Sequence, residues 1–145
     1  MARKLRISVS EEVLILSRFN AAQPRLVYVL TANKKLKYRY GRSAIAYIGT
    51  TKRGLKRIAE SVADKSQDIF GNHGVTTLTA HLLTSRGRRG AQTWKKLERA
   101  LIISFRERYG EVPKYNNHGR GWQRKDEGKY FCDTRIRELV ERGEQ

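Results

Sequence analysis

Apolar positions recur along this chain with two different periods, and each change of period marks an element. Leu26 to Thr31, Ala44 to Gly49 and Val75 to Leu83 are short runs rich in aliphatic, aromatic and β-branched side chains, and they predict three strands. After the second run, Leu55, Ile58, Ala59 and Val62 fall at i, i+3, i+4 and i+7, one stripe of an amphipathic helix that Thr50 or Thr51 can cap. Gln67 to Gly74, with Gly71, Asn72 and His73, reads as the loop that follows. Trp94, Leu97, Leu101, Ile102 and Phe105 predict a second helix over Thr93 to Tyr109. A last helix starts at Asp133 and presents Ile136, Leu139 and Val140. At the other end, Lys4 to Val9 suggests a short strand, and Ser8 with Glu11 forms a capping box for a helix reaching Phe19.

Two positions stand out against this pattern. Glu98 lies inside the apolar stripe of the second helix, so burial of that stripe carries a carboxylate toward the core or the lip of a cleft. Desolvating a carboxylate costs several kcal/mol unless cations or hydrogen bonds compensate. Glu98 is therefore either half of a buried ion pair or a ligand for a hard divalent cation such as Mg²⁺, which takes one or two protein carboxylates and leaves the rest to water and phosphate. The second position is Tyr47, at the end of a strand, with Arg57 ten residues later on the next helix beside Arg53, Lys56 and Glu60. A guanidinium binds phosphate oxygens as a fork and a phenol exchanges protons, so the two can converge on one phosphate; a core tyrosine with a solvated arginine is the plainer alternative.

The ordered set of these residues resembles the GIY-YIG endonuclease family. Val27-Tyr28-Val29 stands at the first tripeptide, Tyr47-Ile48-Gly49 matches the second, Arg57 the helix arginine, Glu98 the metal-binding glutamate, and Asn116 or Asn117 (Asn117 as the working choice) the late asparagine. The resemblance implies an α+β fold, a small three-stranded antiparallel sheet flanked by helices, and hydrolysis of DNA phosphodiesters dependent on one divalent cation, Mg²⁺ or Mn²⁺, held by Glu98. It assigns catalytic roles to Tyr28, Tyr47, Arg57, Glu98 and Asn117. Three positions depart from the pattern: valines flank Tyr28, the interval from Tyr28 to Tyr47 is long, and Ser61 stands where a tyrosine or histidine follows the arginine. The long interval implies an enlarged hairpin connection with a turn around Asn33-Lys34-Lys35 and the basic segment Tyr38 to Arg42. Serine is a poor base, which leaves the proton acceptor open; His73 and His81 are the histidines placed to serve, and a lone histidine on a strand or loop is more often structural.

Composition narrows the partner. A net charge of +17 and an isoelectric point near 10.5 favour a polyanion. No basic amphipathic helix with a broad aromatic face points to a membrane surface. Nucleic acid, and DNA in particular, is the expected partner, with Arg53, Lys56, Arg88, Arg89, Arg124 and Lys125 as candidate phosphate contacts. The charged runs Arg86 to Gly90 and Arg120 to Lys125 read equally well as solvated loops. The single Cys132 excludes an intrachain disulfide. With neither a signal peptide nor an apolar span in view, a cytoplasmic protein is expected. We read residues 1–145 as one domain, its core at about 25–118, preceded by an N-terminal helix and followed by a basic tail and the last helix. A non-catalytic basic nucleic-acid-binding module is the rival function, and a carboxylate on a buried stripe argues against it.

Overall fold

The structure, a computed structural model, describes residues 4, 6–9, 25–84 and 92–145. The expected N-terminal helix, and Arg88 and Arg89 with the rest of their arginine-glycine segment, lie outside the described residues. Residues 6–9 carry no strand, contrary to expectation; Ile7 and Val9 are exposed there, with no sheet neighbour to bury them.

Strands β1 (Leu26–Tyr38), β2 (Gly41–Thr51) and β3 (Leu78–Leu83) form an antiparallel sheet in the order β2-β1-β3. Because helices cover both faces of β1, its buried side chains alternate between two clusters. Leu26, Tyr28 and Leu30 face Ile58 and Val62 of helix α1 (Gly54–His73), while Val27, Leu36 and Tyr38 join Leu97, Leu101, Ile102 and Phe105 of α2 (Thr93–Tyr109). Helix α3 (Asp133–Glu141) docks Ile136 and Val140 on the second cluster, as its stripe predicts. The fold is thus α+β, a three-stranded antiparallel sheet flanked by helices, and α2 has the bounds its periodicity indicates.

Several boundaries differ from expectation: β1 runs on to Tyr38, β2 spans Gly41–Thr51, and β3 begins only at Leu78. The hairpin turns at Arg39 and Tyr40, and Asn33-Lys34-Lys35 is no turn but a bulged length of β1, where the register jumps from Thr31↔Ile45 to Leu36↔Ser43. Asn33 explains the bulge: its Oδ1 accepts from the backbone N–H of Thr76 at 3.0 Å and of Thr77 at 3.3 Å, tying β1 to the approach to β3. The expected loop after residue 67 is the last part of α1, because Ile69 is fully buried and holds the turn; the helix ends only at Gly74, whose φ of 63° suits a residue without Cβ. Thr50 and Thr51 remain in β2, paired with Val27 and Leu26, so neither caps α1; the chain leaves the sheet after Thr51 and enters α1 at Gly54, with φ of 72°. Among the described residues no helix is long and apolar enough to cross a membrane.

Candidate active site

Sheet register brings the two tyrosines together. Tyr28 pairs with Gly49 and Tyr47 with Leu30, so the rings are diagonal neighbours on the α1 face, their centroids 5.6 Å apart. Gly49 makes room for this: a Cβ at that position would stand 2.7 Å from the Tyr47 hydroxyl and 2.9 Å from Cζ. The glycine of Tyr47-Ile48-Gly49 is thereby the floor on which the candidate catalytic phenol lies. Tyr28 donates its hydroxyl hydrogen to Ser61 Oγ at 2.9 Å, which ties the ring on β1 to α1. Ser61 is thus the partner of the Tyr28 hydroxyl, next to the Tyr47 ring.

The electrostatics of Tyr47 report who surrounds it. Burial, first of all, pushes its phenol above the ordinary range; Tyr28 and the negative charge of Glu98 push the same way, and Arg57 opposes them. Residues from β1, α1 and α2 therefore act on this one hydroxyl of β2, which stays protonated at neutral pH. Lys65 Nζ lies 4.1 Å above the Tyr47 ring, and burial lowers its pKa. Arg57 pairs with Glu60 at 3.4 Å, with side chains 44% and 48% exposed, a solvent-screened pair that leaves the guanidinium available to an incoming anion. Arg53 and Lys56, on the same end of α1, are exposed.

Glu98, on α2 beside Thr50 of β2, is 9% exposed. Among the described residues no lysine or arginine forms a salt bridge with it. Its Oε2 accepts from the Thr50 hydroxyl at 3.3 Å and has His118 Nε2 3.8 Å away. Burial raises the carboxyl pKa above its usual range, and His118, Thr50 and Lys95 pull it back. A recessed, under-compensated carboxylate is a donor suited to a hard divalent cation, and the single-carboxylate arrangement fits Mg²⁺ or Mn²⁺ completed by water and phosphate. Among the described residues no group of three or more His, Cys, Asp or Glu forms a self-sufficient metal cage.

Asn116, and not Asn117, holds the motif strand. Its side chain is buried, accepts from the Ile48 N–H at 3.0 Å and donates to the Ile48 carbonyl at 2.8 Å, as a neighbouring strand would. Tyr115 N–H bonds the Ala46 carbonyl at 3.1 Å, so this loop closes the free edge of β2. Asn117 is exposed.

Other expected residues fall elsewhere. His81 sits on β3 with Nε2 3.1 Å from Thr31 Oγ1, and His73 packs edge-on against Tyr115; the histidine beside Glu98 is His118, which periodicity does not single out. Arg124 is engaged by Glu107 at 2.8 Å and Asp133 at 3.1 Å, which raise its pKa, so it ties the tail to α2 and α3. Lys125 is exposed. A separate cleft of about 360 Å³ next to Asn116 is bordered by Arg39, Arg106, Lys114 and Arg120 together with Glu111; Arg39 and Arg120 belong to the basic segments noted in the sequence. No family model, no curated protein and no solved structure matches the chain.

Proposed function

We propose that the protein is a metal-dependent endonuclease that hydrolyses phosphodiester bonds in DNA. The observation that carries this reading is the pairing of the Tyr28 and Tyr47 rings, centroids 5.6 Å apart, with Arg57 and Glu98 close enough to act electrostatically on the Tyr47 hydroxyl. A protein that only binds nucleic acid has no physical need for an under-compensated carboxylate there, since negative charge weakens its hold on phosphate. The net charge of +17 supplies the attraction for the polyanion.

The chain's own residues divide the work. Glu98, with Thr50 bonded to it, would hold the divalent cation, which when bound polarises the scissile phosphate and stabilises the leaving oxygen. Arg57 leaves its screened pairing with Glu60 and grips the non-bridging oxygens, a preorganised charge opposite the one that develops there. Tyr47 Oη orients the attacking water. The water gives its proton to Tyr47 Oη as the half-buried Tyr47 hydroxyl releases its own to solvent, and the Tyr28–Ser61 hydrogen bond holds the neighbouring ring in place. Asn116 keeps β2, and with it Tyr47, in place.

Incubating the protein with supercoiled plasmid and with branched and linear duplexes, with Mg²⁺ or Mn²⁺ and a chelator control, tests the reading. Cleavage abolished by the chelator and by Glu98→Ala is the expected result. Tight DNA binding without cleavage of any substrate would overturn it in favour of the binding module.

A further inference from the structure

We propose that His118 is a second protein ligand to the cation at Glu98, and that the Thr50–Glu98–His118 cluster consequently selects a first-row transition ion over Mg²⁺. This rests on the metal-dependent reading above and specifies its cation. His118 Nε2 stands 3.8 Å from Glu98 Oε2, too far for a hydrogen bond. Two donors each about 2.1 Å from one ion lie about 3 Å apart at right angles and about 4.2 Å apart when opposed, so the observed spacing falls within the range that one shared ion imposes. The Thr50 hydroxyl, 3.3 Å from the same carboxylate oxygen, adds a third donor.

The loop that presents the imidazole is held from both sides. Asn116, two residues before it, is pinned to Ile48 through both of its polar atoms. Gly119, directly after it, has a φ of 100° and packs where a Cβ would meet the Ile102 side chain at 2.6 Å. Arg106 of α2 donates to the carbonyls of Gly119 at 2.7 Å, Arg120 at 3.0 Å and Trp122 at 2.5 Å, and the Trp122 ring packs on His118 with centroids 5.1 Å apart. His118 itself remains 43% exposed, so the ion would keep open positions for water and a substrate phosphate. Mg²⁺ favours oxygen donors, whereas imidazole nitrogen binds Co²⁺, Ni²⁺ and Zn²⁺ well, and replacing one oxygen position by nitrogen shifts the preference toward them.

Calorimetric titration of the full chain, without DNA, with Co²⁺ and separately with Mg²⁺ tests this, together with the paramagnetic shifts that bound Co²⁺ imposes on the ring protons of a ligating histidine. The expected result is tighter binding of Co²⁺ than of Mg²⁺ and strongly shifted ring protons that vanish in His118→Ala. That variant should lower Co²⁺ affinity by about tenfold or more while leaving Mg²⁺ affinity unchanged. His118→Asn, which keeps a polar side chain on the loop, should behave the same way if alanine disturbs folding. Unchanged Co²⁺ affinity in both His118 variants, with a loss in Glu98→Gln, overturns the proposal and leaves the Glu98 site standing. Unchanged affinity in Glu98→Gln for both ions overturns the cation site itself, and the proposal with it.

Discussion

Replacing Asn116 by alanine should destabilise the protein far more than the same change at Asn117. The Asn116 side chain closes both hydrogen bonds of Ile48, at 3.0 Å and 2.8 Å, on the edge of β2 that faces no other strand. Its truncation strands one buried N–H and one buried C=O, each costing about 1–3 kcal/mol when left unpaired. Partial entry of water at an edge strand reduces the sum, so we expect a loss of roughly 2–4 kcal/mol. At about 4 °C per kcal/mol for a chain of this size, the melting temperature should fall by roughly 8–16 °C. Asn116→Asp should be at least as damaging, because it keeps the acceptor for the Ile48 N–H but sets a carboxylate oxygen against the Ile48 carbonyl. Asn117→Ala, at an exposed position, should change stability by no more than about 0.5 kcal/mol. Thermal melts and urea titrations of the three variants decide the matter. A melting temperature for Asn116→Ala within about 2 °C of the wild type, or a larger effect at Asn117, would refute the edge-closing role.

The other expectations concern the site itself. Glu98→Ala should abolish cleavage while DNA binding, followed by electrophoretic shift, stays at or above the wild-type level, because a negative charge has left a basic surface. Arg57→Ala should slow single-turnover cleavage by about 10²- to 10³-fold and Arg57→Lys should recover little of it; a lysine variant with full activity reduces Arg57 to a generic charge. Gly49→Ala should cut cleavage sharply at nearly unchanged DNA affinity, because the added Cβ must displace the Tyr47 ring from 2.7–2.9 Å; wild-type rates would show that the ring position does not matter. Neutralising Arg42 and Arg53 together should flatten the slope of log affinity against log salt by about 0.9 for each phosphate that is no longer neutralised, whereas Arg124→Ala should act mainly on thermal stability; a salt slope that responds to Arg124 and ignores Arg42 and Arg53 reverses the assignment.

What could be read in the sequence was whatever local periodicity determines. The bounds of α2 and the docking stripe of α3 follow from apolar spacing, and the three strands from short apolar runs, because a covered strand or helix must show its buried face in the order of its residues. Features set by a partner remote in sequence were not legible. Asn33 looks like a turn residue until Thr76 and Thr77 are seen to occupy its side chain, and Gly71 looks like a helix breaker until Ile69 is seen buried beneath the same turn. His118 carries no periodic signal at all; its relation to Glu98 exists only because Asn116 folds the loop back onto β2. Charge counting likewise cannot separate Arg124, held by Glu107 and Asp133, from an arginine without a carboxylate partner.

That last distinction locates the positive surface more sharply than net charge does. On the α2 and α3 side the cations are largely matched: Lys96 with Asp126, Arg99 with Glu127, Arg108 with Glu144, Arg124 with Glu107 and Asp133, Arg135 with Glu138. Among the described residues, no carboxylate pairs with the side chains of Arg39, Arg42, Lys52, Arg53 or Lys56, and these lie at the two ends of β2. At about 3.3 Å per residue an eleven-residue strand spans roughly 35 Å, close to one turn of duplex DNA. A duplex lying along β2 would meet unmatched cations at both ends and Tyr47, Arg57 and Glu98 near one of them. If the proposed cleavage occurs, the strand that Asn116 braces would also act as the ruler that sets where along the backbone the scissile phosphate falls, and loosening it should blur the position of cleavage as well as its rate.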